Sequence, residues 1–268
     1  MQVRGRLHNS PMKPARYIAN HLRTVLKNGA SAPHTAEVEH FFKNEIQSRG
    51  WYTDELRKLA RRFSRTIAND AGIDYLFDVC DELFRGKVLE EKVLAVLMLE
   101  DKVSQLEEAH FKRLMGWLNR VSTWADHDAL ASYLLGPLML AEPARTAQAL
   151  RWAKARDTWH RRAAAVSLIR GVRKQIFQRE TKAVTAALLG DEDLMVQKGL
   201  GWLLREQAKY DRDRALPLLR SIRSKAPRLV LRTACETLTP ELRVEIMGER
   251  SRANARKILT LNARRTRI

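Results

Sequence analysis

Cysteine is scarce in this sequence of 268 residues, which contains only Cys80 and Cys235 and no pair at CxxC spacing. That excludes a disulfide framework and gives no zinc-binding pattern. No apolar run approaches the roughly 18 residues of a membrane span, and no apolar signal core follows Met1. We therefore expect a protein of a reducing, cytoplasmic compartment with no membrane partner.

Acidic residues are absent from the first 36 positions, which contain six lysines or arginines. This bias resembles a transit peptide. The stretch 14–27, however, places Tyr17, Leu22 and Leu26 among apolar residues at helical spacing. We favour the interpretation that this stretch is part of the fold.

Alternating β-branched runs and Asn-Gly or Asp-Gly hairpin signals are also missing, so we predict an all-α protein. Candidate N-caps are Thr53 or Asp54, Ser122 or Thr123, Asp157, and Asp191 or Asp193. Glycines and prolines punctuate segments of helical character, which we place near 14–28, 35–47, 53–69, 73–85, 88–101, 106–120, 124–135, 143–154, 157–175, 178–189, 192–209, 210–223, 227–236 and 240–248.

Short paired helices suggest stacked helix pairs, each burying its apolar face on the next. Trp124, Trp159 and Trp202 are 35 and 43 residues apart, close to the period of about 40 to 47 residues in HEAT and armadillo repeats. We predict an α-solenoid of HEAT-like repeats, with the recurring tryptophans along one concave face, built as one monomeric domain over residues 1–248. Residues 249–268 are a basic extension that could be helical, and it is either a solvated tail or an arm that contacts phosphates.

Positive charge is in large excess, since 49 lysines and arginines against 31 acids give a net charge of +18. This predicts a polyanionic partner, with nucleic acid as the leading candidate. No P-loop, dinucleotide-binding fingerprint, Ser or Cys nucleophile signature or carboxylate-rich metal site is present. We therefore expect neither a cofactor nor metal-dependent nuclease chemistry.

One acid lies beside a tryptophan on a predicted helix face. Trp124 and Asp128 are four residues apart and share that face, whereas Asp126 points elsewhere. The alternative is a core indole with a solvated acid favoured by the helix dipole. His127 has no second His or Cys at ligand spacing, so we expect it to be solvated and to bind no metal.

Two later segments place arginines beside a tryptophan. Trp159, Arg161 and Arg162 lie within one and a half turns, which suits bidentate phosphate binding; the alternative is an exposed arginine pair. On the other helix, Lys198, Trp202 and Arg205 share a face. Because helical side chains lean toward the N-terminus, we predict that Gly199 leaves room for Trp202, unless that face simply packs on another helix.

These segments resemble the DNA alkylation repair family, the AlkD-like DNA glycosylases built from HEAT-like repeats. The matching stretches are STWADHD at 122–128, WHRRAA at 159–164 and VQKGLGWLLRE at 196–206, the last being the most specific. The resemblance covers about residues 35 to 240. It implies a catalytic role for Asp128, and site roles for Trp124, Trp202 and Arg162.

The same resemblance implies a concave basic face that holds double-stranded DNA and excises N3- or N7-alkylated purines. Candidate DNA-binding residues are Arg161, Trp159, Lys198, Arg205, Arg57 and Arg61. Arg57 ends the stretch GWYTDELR at 50–57, which lacks the proline usual in the family, and Arg61 follows four residues later.

We therefore expect a monofunctional DNA glycosylase without strand cleavage, acting in base excision repair and associated with a bacterial-type nucleoid through DNA. The alternatives are a non-catalytic HEAT-repeat protein that recognises DNA shape or branched DNA or scaffolds a complex, and an RNA-binding protein.

Overall fold

The computed structural model describes residues 13–43 and 45–248, and within them the chain forms helices joined by short links. The all-α prediction is confirmed. Contacts group the chain into two compact units, Met1–His110 and Phe111–Ile268. The single domain over 1–248 and the concave basic face stay predictions, and the basic extension at 249–268 lies outside the described residues. None of the described helices is long and apolar enough to cross a membrane.

The first unit is built around its longest helix. Its helices are α1 (Ala15–Asn28), α2 (Ala32–Phe41), α3 (Thr53–Phe84) and α4 (Leu89–Glu100). Both α1 and α4 pack on α3. Ala19, Leu22 and Leu26 lie on one face of α1 and are buried. The interpretation of 14–27 as part of the fold is therefore confirmed.

A glycine breaks α3 where the sequence predicts a boundary between two helices. Gly72 has φ 85° and ψ 175°, a conformation that a residue with a Cβ rarely adopts. The cap predicted at Thr53 or Asp54 is wrong, because Tyr52 is the N-cap residue and no side chain caps this helix. Asp54 and Glu55 lie inside the first turn, where the helix dipole stabilises their negative charges.

The second unit contains the helices of the later sequence segments. They are α5 (Glu108–Trp117, which begins in the first unit), α6 (Trp124–Leu130), α7 (Gly136–Ala141), α8 (Ala147–Trp152), α9 (Thr158–Val166), α10 (Ile169–Val172), α11 (Gln178–Leu188), α12 (Leu194–Tyr210), α13 (Arg212–Ile222), α14 (Arg228–Ala234) and α15 (Pro240–Met247). The helix predicted at 157–175 is split, because α9 ends at Val166 and α10 begins at Ile169. Much of the contact runs through α12, which packs on α9 and α14.

The break predicted at Gly136 and Pro137 is wrong, because the chain stays helical there. A π-helical turn, Ala131–Leu135, joins α6 directly to α7. Pro137 lies just after this π-helical turn, so the helical N–H that it lacks is missing where the hydrogen-bond pattern changes from π to α. Gly136 permits close packing, since a Cβ there would lie 2.7 Å from the Ser167 carbonyl oxygen.

A pair of glycine substitutions tests this packing. Gly136→Ala should lower the free energy of unfolding by about 1 to 3 kcal/mol, because backbone must move to admit the methyl group. Gly116→Ala is the matched control on α5, where a Cβ meets no atom within 4 Å, and it should stabilise by about 0.5 to 1 kcal/mol. Denaturant midpoints measure both. Equal stabilisation by the two substitutions would contradict the packing assigned to Gly136.

Candidate active site

Three neighbouring helices of the second unit hold the site residues implied by the sequence, since α9 packs on both α6 and α12. Each helix begins at a side chain that accepts backbone N–H groups of its own first turn. Thr123 does this for α6, Asp157 for α9 and Asp193 for α12. The predicted caps at these three starts are confirmed. They fix the first residue of each helix and therefore the direction of every site side chain.

Asp126 is committed to the start of α6. Its carboxylate is buried and accepts the N–H of Ser122 at 2.8 Å and the N–H of Thr123 at 2.7 Å. Because the Thr123 hydroxyl oxygen in turn accepts a backbone N–H of the first turn, the two residues form a capping box, and the Thr123 hydroxyl also donates to Asp126 at 3.0 Å. Asp126 is therefore a structural acid, and Asp128 remains the acid available for chemistry.

Asp128 is held by a bidentate ion pair with Arg162. Arg162 Nε donates to Oδ1 of Asp128 at 2.9 Å, and Nη2 donates to Oδ2 at 2.7 Å. His127 Nδ1 lies 2.7 Å from the same Oδ1. Oδ1 thus has two partners and Oδ2 has one, so an acceptor position remains on Oδ2. The side chain is 17% exposed.

Burial raises the pKa of Asp128, but the hydrogen bonds from His127 and Arg162 and the positive charge of Arg162 outweigh it. The pKa of this carboxyl therefore lies below its ordinary value, and the group is ionised at neutral pH. A fixed, partly accessible negative charge is what this geometry offers to a ligand.

The sequence interpretation misplaced His127. It was expected to be solvated, but its side chain is 0% exposed. Its Nε2 lies 3.0 Å from the carbonyl oxygen of Trp159, and the two rings are tilted at 31° with centroids 5.5 Å apart. The expectation fails because His127 points toward α9, which local spacing does not reveal. The signal in the sequence that pointed to a site role for His127 was its position directly before Asp128.

Arg162 is buried against α12. Its Nη1 donates to the carbonyl oxygen of Met195 at 2.5 Å. A Cβ on Gly199 would lie 3.1 Å from Arg162 Cγ. The space at Gly199 is therefore occupied by Arg162 rather than by Trp202, which corrects the sequence interpretation. A direct phosphate contact by Arg162 stays a prediction, and it requires the ion pair with Asp128 to open.

Trp202 lies one helical turn beyond Gly199 and is partly exposed. Its indole Nε1 donates to Oε1 of Glu206 at 3.2 Å. Glu206 is buried and accepts from Arg173 Nε at 2.7 Å. Burial raises the pKa of Glu206, but the hydrogen bond and charge of Arg173 outweigh it, so the pKa is lowered. Glu206 ends the most specific motif, yet the sequence interpretation gave it no role.

The other two tryptophans differ in exposure. Trp124, the first residue of α6, is 38% exposed, whereas Trp159 is partly buried with its ring beside His127. Trp124 and Asp128 remain four residues apart on one helix face. An accessible indole thus accompanies the ionised acid along α6.

Of the candidate DNA-binding residues in this unit, Lys198 is exposed. Arg161 donates to Asp191 at 2.6 Å and Arg205 to Glu236 at 2.7 Å. These ion pairs do not prevent phosphate binding, but each must loosen if its arginine is to make a full contact.

In the first unit, Arg57 donates to Glu100 at 2.6 Å, and Arg61 is exposed beside it, with its Nε 3.4 Å from the Arg57 carbonyl oxygen. In the described ranges, no group of three or more His, Cys, Asp or Glu side chains is arranged to hold a metal ion.

The fold and site define an all-α helical-repeat protein with a fixed aspartate beside an accessible tryptophan. The family model described as DNA alkylation repair enzyme matches residues 22–238, and the chain belongs to that family. A solved structure described as a predicted DNA alkylation repair enzyme from Enterococcus faecalis is similar, with a TM-score of 0.71 and 15% identity over 78% of this chain and 97% of that chain. At this identity the likeness concerns the fold. No curated protein matches the sequence.

The predicted helical-repeat fold is confirmed by this likeness. Family membership supports a role in the repair of alkylated DNA.

Proposed function

We propose that the protein is a DNA glycosylase that hydrolyses the N-glycosidic bond of cationic N3- or N7-alkylated purines in duplex DNA. The observation that supports this most is the ionised carboxylate of Asp128, held by Arg162 and His127 with an acceptor position left on Oδ2. Family membership supports alkylated DNA as the substrate.

The substrate chemistry explains why one carboxylate is sufficient. A purine alkylated at N3 or N7 already carries positive charge, so it can leave without a general acid. As the glycosidic bond breaks, the deoxyribose becomes oxocarbenium-like, and a negative charge beside it lowers the barrier. Asp128 supplies that charge and uses the remaining acceptor position on Oδ2 to orient the attacking water.

Two indole rings complete the proposed site. Trp124 and Trp202 attract the cationic nucleotide through their faces, an interaction of about 0.5 to 2 kcal/mol each. The hydrogen bond from Trp202 to Glu206 at 3.2 Å limits the rotation of that ring. Lys198, which is exposed, contributes a phosphate contact. Positions fixed before the substrate arrives need no reorganisation during the reaction.

Asp128→Asn should abolish release of 7-methylguanine and 3-methyladenine from methylated duplex DNA, with a loss of at least about 100-fold. The amide keeps one acceptor oxygen but lacks the charge that stabilises the sugar. Single-turnover base release measures the effect, and DNA binding by the variant should persist. Asp213→Asn is the matched control, because Asp213 is an exposed acid on α13.

Release by Asp128→Asn at the wild-type rate would show that the assigned chemistry is wrong. Loss of the charge also leaves Arg162 without its ionic partner, so the folded state needs a check by thermal unfolding. A double variant, Asp128→Asn with Arg162→Gln, removes both charges together. It should fold and bind DNA but remain inactive.

The proposal includes a monofunctional reaction, in which water rather than an amine attacks the sugar. The third motif does contain one lysine, Lys198, and it is exposed on α12. Borohydride trapping on methylated DNA tests for a Schiff base. We expect no trapped complex and no strand nicking, and a trapped complex that Lys198→Ala abolishes would overturn this part of the proposal.

The second candidate function is non-catalytic recognition of DNA shape or branched DNA. The bidentate pairing of Asp128 with Arg162 favours it, because a paired carboxylate can also be purely structural. This function predicts tight binding to branched or alkylated duplexes with no base release by the wild-type protein. Competition by RNA in the same binding assay tests the RNA-binding alternative.

A further inference from the structure

Both ring nitrogens of His127 face hydrogen-bond acceptors. Nε2 lies 3.0 Å from the Trp159 carbonyl oxygen, which can only accept. Nδ1 lies 2.7 Å from Oδ1 of Asp128. A neutral imidazole has one N–H and can satisfy one of these contacts, whereas an imidazolium satisfies both.

The state of Asp128 decides between the two possibilities at Nδ1. The carboxylate accepts two hydrogen bonds from the always-charged guanidinium of Arg162. Arg162 favours the ionised form, so no proton remains on Oδ1 for a neutral ring to accept. The hydrogen on the short contact therefore belongs to His127.

We propose that His127 is a positioning residue for Asp128, and that it acts as an imidazolium that donates from Nδ1 to the carboxylate and from Nε2 to α9. This inference rests on the proposed glycosylase function and adds a residue to it. The carboxylate lies between the guanidinium of Arg162 and the imidazolium of His127, while the Nε2–H of the ring ties α6 to α9. The orientation of Oδ2 is thereby set before any substrate binds.

The surroundings of the ring contain few other charges that could control its proton. On α6, the Asp126 carboxylate is used by the helix cap. From α9, Arg162 pairs with the same Asp128 carboxylate. The π-helical turn that packs on α6 carries Tyr133, whose ring faces the guanidinium of Arg170 at 5.9 Å. Asp128 is therefore the group that responds most directly to the charge of His127.

Loss of the ring proton should loosen the carboxylate. A neutral ring that keeps its Nε2 hydrogen turns a lone pair of Nδ1 toward Oδ1, and the opposite tautomer turns a lone pair toward the Trp159 carbonyl oxygen. Either way one of the two contacts becomes repulsive. The catalytic rate should therefore be lower with a neutral ring than with an imidazolium.

Two substitutions separate the two donors of the ring. In His127→Asn the amide nitrogen can take the place of Nδ1, so donation to Asp128 survives without a titratable group. In His127→Gln the amide nitrogen can instead take the place of Nε2, so the tie to Trp159 survives and donation to Asp128 is lost. We expect His127→Asn to keep activity within about threefold and His127→Gln to lose about tenfold or more.

The pH profile is the readout that a purely structural role would not change. Single-turnover release is measured across about pH 5 to 8, where histidine titrates, for the wild-type protein and for His127→Asn. The pH dependence of the substrate cancels in the ratio of the two rates. We expect this ratio to fall as pH rises, and a ratio that is constant with pH would overturn the positioning role.

The charge of the ring can be observed without any substrate. Nitrogen-15 NMR of histidine-labelled protein measures the charge, and the signals missing in His127→Asn assign the ring. In the wild-type protein both ring nitrogens of His127 should be protonated, and in Asp128→Asn only one should be. A neutral His127 beside an intact Asp128 would overturn the proposal. If the wild-type protein releases no base but the NMR result holds, the function fails while the charge assignment stands.

Discussion

Replacing Arg162 by methionine should reduce base release by about 100-fold, because a small misplacement of a catalytic group costs that much. Methionine fills the buried space beside Gly199 but cannot bind the carboxylate. Asp128 then keeps only the contact with His127, and its two oxygens are no longer fixed by the fork of two donors. DNA binding should weaken far less than the chemical step.

The same substitution should move the acidic limb of the rate profile. Burial raises the pKa of Asp128, and hydrogen bonds from His127 and Arg162 lower it below its ordinary value. Without Arg162, fewer groups offset the effect of burial, so the pKa of Asp128 rises. The carboxylate is active when ionised, so on the acidic side the wild-type protein loses activity as pH falls below the ordinary aspartate range. In Arg162→Met that loss begins at a higher pH.

Single-turnover rates at several acidic pH values measure both effects. Arg162→Lys keeps the charge but not the bidentate geometry, so its rate should lie between those of the wild-type protein and Arg162→Met. It replaces Arg162→Met as the test if the methionine variant does not fold. Arg214→Met is the control, since Arg214 is an exposed arginine on α13 whose partner is Asp211. A normal rate with an unchanged acidic limb in Arg162→Met would contradict the role assigned to the ion pair.

Local sequence signals predicted the helix starts of the site well. A capping side chain acts on the first turn of its own helix, so Thr123, Asp157 and Asp193 could be recognised from neighbouring residues alone. The same logic misled at Thr53, because an acid or threonine near a start can lie inside the first turn rather than before it.

The pairing within the site could not be predicted in the same way. Asp128 and Arg162 are 34 residues apart, and the resemblance names both without placing them in contact. The burial of His127 and the role of Gly199 depend equally on which helix lies opposite. Helical spacing shows which residues share a face of a helix but not which helix packs against that face. The wrong interpretations of His127 and Gly199 both have this cause.

Glu90 organises the irregular segment before α3, and its loss should cause the largest fall in stability. It lies in the first turn of α4 with 4% of its surface exposed. Its carboxylate accepts the Ser48 hydroxyl at 2.6 Å, the N–H of Arg49 at 2.9 Å and the N–H of Gly50 at 3.0 Å. The N–H of Trp51 lies at 3.4 Å.

Glu90→Ala should lower the free energy of unfolding by about 3 to 5 kcal/mol. Each buried donor left without an acceptor costs about 1 to 3 kcal/mol, whereas the N–H of Gly50 keeps the Ser48 hydroxyl oxygen at 3.0 Å, and water entering the cavity recovers part of the total. Backbone contacts also hold the segment, because the N–H of Ser31 donates to the Arg49 carbonyl oxygen at 3.0 Å, and Gly50 lies so close that a Cβ there would be 2.4 Å from the Ser31 carbonyl oxygen. Its position is thus set by backbone contacts that the carboxylate completes.

Denaturant unfolding and amide hydrogen exchange at residues 48–51 measure the global and local effects. Glu55→Ala is the matched control, because Glu55 is an exposed glutamate in the first turn of α3, and only a small loss is expected there. Glu90→Gln keeps one acceptor oxygen but turns an NH₂ group toward backbone donors, so it should fall between the two. If Glu90→Ala and Glu55→Ala unfold at the same denaturant concentration, the carboxylate does not hold this segment.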